Sequence, residues 1–137
     1  LVPNGRYIPA QNVQYVRDFI WRHQHLFNNC AALAIERQMR CNMRIIESVF
    51  QTLFYDRCHV INARCVKMHY GLSTRNYRTN KEKAVEWATQ FVKQNTLVVL
   101  PELVKRWEAT TKKDDLADAL LLVMYYLDTY SNQVEAK

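Results

Sequence analysis

Three aspartates in the last quarter of the chain, Asp114, Asp115 and Asp118, have types and spacing that suggest chemistry. On a helix, residues three or four apart share a face, so Asp118 lies beside both Asp115 and Asp114. Carboxylates this close repel one another. Capping by Asp114 and the positive end of the helix dipole account for one or two of them. Asp118 sits a turn further in, next to a strongly apolar face, and calls for another reason. A hard divalent cation removes the repulsion, because Mg²⁺ or Mn²⁺ takes carboxylate oxygens and keeps positions open for phosphate. Glu36 is the other conspicuous acid, closing the short, nearly continuous apolar run Ala31 to Glu36. That run reads as a buried strand with a charge at its C-terminal tip.

The elements that position these acids follow from hydrophobic periodicity. Val13, Val16, Ile20 and Phe27 mark a first helix over about Gln11 to Asn29, after a loop-like lead-in containing Pro and Gly. Met39, Met43, Ile46, Phe50 and Leu53 make an amphipathic helix ending near Asp56, and Cys58 to Ile61 is a second short strand. Strand, helix and strand in this span predict a βαβ unit with parallel strands, hence an α/β fold. Ligands in such sheets gather beyond the carboxyl ends of the strands, where Glu36 would stand.

Arg64 to Thr79 is basic and aromatic around Gly71, and reads as a loop or short helix facing something negative. Asn80 is expected to cap a helix carrying Ala84, Trp87, Ala88 and Phe91 on one face, with Lys81 and Lys83 at its start. Two lysines at the positive end of a helix are unfavourable unless a phosphate is the neighbour, although a solvated surface turn is an equal alternative. Thr96 to Leu100 suits a strand and Pro101 to Glu108 a short helix. Leu116, Leu120, Val123 and Leu127 mark the main face of a last helix from about Asp114 to Tyr130, apolar nearly all round and expected to be well buried.

With 137 residues, 49% hydrophobic and 23% charged, the chain is expected to form one domain over 1–137. A net charge of +6 suits a polyanionic partner, nucleic acid or an anionic membrane face. No apolar run is long enough for a membrane span and the first residues do not read as a signal peptide, so a soluble, intracellular protein without a membrane partner is expected. Cys30, Cys41, Cys58 and Cys65 form no CxxC pair, and Cys58, His59, Cys65 and His69 are poorly spaced for zinc. Trp21, Trp107 and the eight tyrosines offer stacking surfaces for bases, with core or rim positions the simpler reading and no role assigned.

Taken in order, three segments resemble one family. Lys113 to Ala119 resembles the final acidic motif of RuvC-like Holliday junction resolvases, in the form typical of the poxvirus and mitochondrial branch. Ala34, Ile35, Glu36, Arg37, Gln38, Met39 and Arg40 resemble the second acidic motif, a strand delivering a glutamate before an Arg- and Met-containing turn. Val66, Lys67, Met68, His69, Tyr70 and Gly71, followed by Lys81, make the third match. The resemblance covers roughly residues 11 to 130.

It implies an RNase H-like fold with a mixed sheet flanked by helices. It further implies Glu36, Asp115 and Asp118 as catalytic metal ligands, Asp114 as an auxiliary carboxylate, and two Mg²⁺ or Mn²⁺ ions with no small-molecule cofactor. Lys67, Arg75, Arg78, Lys81 and Lys83 would contact DNA, and a homodimer would place paired nicks across a four-way junction. The compartment would be the cytoplasmic factory for a viral protein or the mitochondrial matrix for a cellular one. The family's first catalytic aspartate lies on an N-terminal β-meander that is not present here; the first aspartate, Asp18, falls inside the first helix. The chain is therefore expected to be N-terminally incomplete and to expose an unpaired strand edge beside Glu36. A non-catalytic junction-binding module of the same fold, and an α/β interaction domain outside nucleic acids, are the competing readings.

Overall fold

A computed structural model describes residues 9–131; the Pro- and Gly-containing lead-in lies outside them. The chain divides into two compact units, one running to Asn62 and one from Ala63.

The first unit holds α1 (Pro9–Arg22), α2 (Gln24–Asn29), β1 (Leu33–Glu36), α3 (Cys41–Leu53) and β2 (Cys58–Ile61). The expected first helix is two helices. At His23 the backbone leaves helical geometry, its N–H shared between the carbonyls of Phe19 and Ile20, and a new turn starts from the His23 carbonyl. Phe27, beyond the break, packs on Phe54 at 5.4 Å, Phe50 at 5.8 Å and Phe19 at 6.0 Å. Each such ring pair contributes about 0.5–1.5 kcal/mol beyond its burial. Periodicity alone misses the break because the apolar residues on either side keep nearly helical spacing.

The βαβ unit is as expected. β1 and β2 are parallel, with Leu33 opposite Cys58 and Glu36 opposite Ile61, and α3 is the crossover. The ladder is extended by Leu33 N–H donating to the Arg57 carbonyl and Arg37 N–H to that of Ile61. β1 is shorter than the expected run and half-buried rather than buried throughout, while Ile61 on β2 is buried. Met39, expected on the helix, precedes it and is exposed.

The second unit holds α4 (Ala63–His69), α5 (Tyr77–Gln94), α6 (Pro101–Ala109), α7 (Asp114–Tyr126) and a π-helical turn, Leu127–Ser131. α7 packs against α5 and α4. Small residues make the approach close: Ala84 and Ala88 on α5 and Ala117 on α7 are buried, with Leu121. The expected main face of α7 is corrected accordingly. Ala117 and Leu121 face inward, whereas Val123 and Leu127 are exposed, because the helix seats on alanines rather than on its leucine row.

Asn80 does not cap α5. Asn76 does, its side chain accepting from Thr79 N–H, while Asn80 clamps Thr74 through hydrogen bonds to its N–H, hydroxyl and carbonyl. Thr96 to Leu100 is not a strand. It turns on the Asn95 carbonyl, which accepts from Val98 and Val99 N–H, and no strand lies beside it among the described residues of this unit. Pro101 then opens α6, whose Trp107 is buried.

Candidate functional site

Helix α7 opens at Asp114 without a side-chain cap, so Asp114 is the first helical residue rather than the cap itself. Its neighbours explain the local charge. Lys81, one turn into α5, donates from Nζ to Asp114 Oδ2 at 2.6 Å. Lys67 on α4 stands 3.6 Å from Asp118 Oδ1, and Lys112 lies 3.8 Å from Asp114 Oδ1 and 4.0 Å from Asp115 Oδ2. Every carboxylate of the motif therefore has a lysine, and the repulsion expected from the spacing is answered by ammonium groups.

The three acids differ in setting. The Asp114 side chain is 13% exposed, that of Asp118 27% and that of Asp115 82%. The Lys81 hydrogen bond, then the charges of Lys112 and Lys81, hold the Asp114 carboxyl below the usual carboxylate range against the opposing effect of desolvation. The same hydrogen bond, with Tyr77 beside it, keeps the Lys81 ammonium above the ordinary lysine range. Lys81 also lies 5.2 Å from the Tyr77 ring, and Lys113 lies 5.7 Å from the Trp107 ring while donating to the Thr110 carbonyl.

The donor set fits a hard divalent cation in kind, being carboxylate oxygen throughout. Asp114 Oδ1 is buried and accepts no hydrogen bond, its cationic neighbour Lys112 standing off at 3.8 Å. Among the described residues, however, no three His, Cys, Asp or Glu side chains gather as a metal-holding group. In this arrangement lysines occupy the carboxylates.

The other expected residues fall as follows. Glu36 ends β1 in the first unit, where Gln38 donates to its backbone carbonyl at 2.8 Å. Arg75 and Lys83 are exposed, and Arg78 makes an exposed pair with Glu82 at 3.1 Å. Lys67 and Lys81 are carboxylate partners rather than solvated groups.

A second polar cluster went unread in the sequence. Beyond the end of α7, in the π-helical turn, Asp128 Oδ2 accepts from the Tyr70 hydroxyl at 2.6 Å, and His69 Nε2 lies 3.4 Å from the same oxygen. Burial, then the hydrogen bond to Asp128, pushes the Tyr70 phenol above its ordinary range. Nothing local signals a contact between residues this far apart in sequence. The partners meet because α4 and α7 pack together.

No described helix is long and apolar enough to cross a membrane. No curated protein and no solved structure matches the chain. Residues 10–129 match the family model described as poxvirus A22 protein, spanning α1 to the π-helical turn and including all four acids and both lysines. The chain belongs to the poxvirus A22 protein family, which is associated with Holliday junction resolution.

Proposed function

We propose that this protein is a structure-selective, divalent-metal-dependent endonuclease that resolves four-way DNA junctions by paired phosphodiester nicks. Glu36, Asp115 and Asp118 are the catalytic carboxylates and metal ligands in this reading, and Asp114 is an auxiliary acid. Family membership supports the substrate, and one structural observation supports the site: a buried Asp114 oxygen that accepts no hydrogen bond, amid lysine-paired carboxylates on α7.

Two Mg²⁺ or Mn²⁺ ions, when bound, would supply activation of water and stabilisation of the leaving 3′ oxygen. The chain's own groups do the rest. Lys81 holds the Asp114 carboxyl below the usual carboxylate range, and Lys67 stands 3.6 Å from Asp118 Oδ1 as its counter-charge. The same two ammonium groups, beside the carboxylates, would also offer charge to DNA phosphate. Arg75, Arg78 and Lys83, exposed around the start of α5, hold the phosphate backbone through contacts that weaken with salt. A homodimer would set two such sites on opposing strands.

The test is incubation of a labelled four-way junction with Mg²⁺, Mn²⁺ or EDTA. Paired, metal-dependent nicks are expected from wild type, with cutting lost and binding kept in Glu36→Gln. Binding without cutting under all three conditions would favour a non-catalytic junction binder. The observation behind that second reading is that Asp114 and Asp118 already have lysine partners and Asp115 points outward.

A further inference from the structure

We propose that the cleft formed by α1, α2 and the end of α3 receives an unpaired nucleobase, preferring bases that carry an exocyclic amino group. The inference rests on the reading of the protein as a junction-acting enzyme and adds a site in the first unit.

The cleft measures about 520 Å³ and is open to solvent. Gln14, Arg17, Asp18 and Trp21 on α1 line it, spaced to share one helix face, together with Gln24 and Asn28, which are four apart on α2. The helix break at His23 lets these two polar faces border the same space; an unbroken helix would carry the α2 residues onward along the α1 axis. Ile20 and Leu53 add apolar surface.

The chemistry of this lining selects its ligand. Three carboxamides offer donors and acceptors side by side, which matches the mixed edge of a base and not the acceptor-only surface of a phosphate. Trp21 is 69% exposed, a large ring left in water where a base would stack on it. Asp18 sharpens the choice. Its Oδ1 accepts from Gln14 Nε2 at 2.9 Å, which fixes the carboxylate, and its charge repels phosphate while accepting from amino groups. Cytosine, adenine and guanine carry such a group and thymine does not. Arg17 supplies a cation for the phosphate attached to the held base. The bases at the crossing of a four-way junction are paired, so the proposed substrate offers this ligand only where a pair at the crossing opens, which costs a few kcal/mol.

The experiment uses the full chain with labelled single-stranded oligo-dA, oligo-dC, oligo-dG and oligo-dT, following both anisotropy and tryptophan fluorescence. Oligo-dT should bind weakest and quench least. Trp21→Ala should weaken the other three about tenfold and abolish the quench, which assigns the signal to Trp21 rather than to Trp87 or Trp107. Asp18→Asn should narrow the gap between oligo-dT and the rest. Both residues are exposed, so melting temperatures should match wild type. Wild-type affinity in both Trp21→Ala and Gln24→Ala overturns the proposal. So does a Trp21→Ala variant that loses only self-association, since a second copy would then be the occupant. Junction cleavage, run in parallel, separates the two readings. Cutting with oligonucleotide binding indifferent to Trp21 rejects the cleft alone; Trp21-dependent binding without cutting rejects the nuclease and retains the cleft.

Discussion

The start of α7 and the π-helical turn beyond its end both hold aspartates against polar side chains from other elements, but in different chemical states. At the N-terminal end Asp114 and Asp118 face the ammonium groups of Lys81 and Lys67. At the C-terminal end Asp128 takes a hydrogen bond from the neutral Tyr70 phenol, with His69 alongside. An ammonium partner is a cation that another cation can replace, so the first end is suited to exchange between lysine, metal and phosphate. A phenol supplies a directional bond with no charge to trade, which suits a latch between α4 and the π-helical turn. In the proposed reading the first end carries the chemistry and the second is structural; the family match includes both.

Stability measurements would sharpen or break this contrast. The largest loss of melting temperature is expected for Lys81→Met, which leaves the little-exposed Asp114 carboxylate without its hydrogen-bonded partner. Adding Asp114→Asn should recover part of that loss, and no recovery would mean that Lys81 stabilises by some other contact. Tyr70→Phe at the opposite end should cost less, about 1 kcal/mol for a half-exposed hydrogen bond in chemical denaturation. Gly71→Ala should cost a similar amount, up to about 1 kcal/mol. Its φ of +66° disfavours a side chain, while the space for a Cβ is open. The smallest effect is expected for Arg78→Ala, below about 0.5 kcal/mol, because its pair with Glu82 is exposed.

The pH dependence separates the ends as well. Asp114 has a folded pKa below its unfolded value, so its contribution is present above about pH 3.9 and is lost as pH falls through the folded pKa. The Asp114→Asn variant should therefore show a flatter acid limb in a stability–pH profile. Tyr70 has a folded pKa above its unfolded value of about 10, so its contribution is present below that pH and lost as pH rises toward the folded pKa. Lys81 is raised too and fades on the same alkaline side, which makes the acid limb the discriminating one.

What the sequence made legible divides along physical lines. The βαβ unit was readable because β1, α3 and β2 each bear their own local pattern, and Cys58–Ile61 emerged with its bounds intact. The acids were readable because Asp114, Asp115 and Asp118 are neighbours in the chain. Their partners were not: the pairing of Lys81 with Asp114 and Lys67 with Asp118 depends on how closely α5 and α4 approach α7. That approach is set by Ala84 and Ala88, which the periodicity places on a helix face, and by Ala117, which the leucine row of α7 hides. The apolar run at Thr96–Leu100 misled for the converse reason. Strand propensity without a neighbouring strand does not make a sheet, and the Asn95 carbonyl offered those N–H groups a turn instead.

The most direct measurement is cleavage and binding of one labelled four-way junction by Asp118→Asn and Asp128→Asn, beside wild type, in Mg²⁺. Asp118→Asn should bind the junction as wild type does and cut it at least about 100-fold more slowly, whereas Asp128→Asn should cut at close to the wild-type rate. Wild-type cutting by Asp118→Asn, or equal loss in both variants, would contradict the assignment of chemistry to the lysine-paired end of α7.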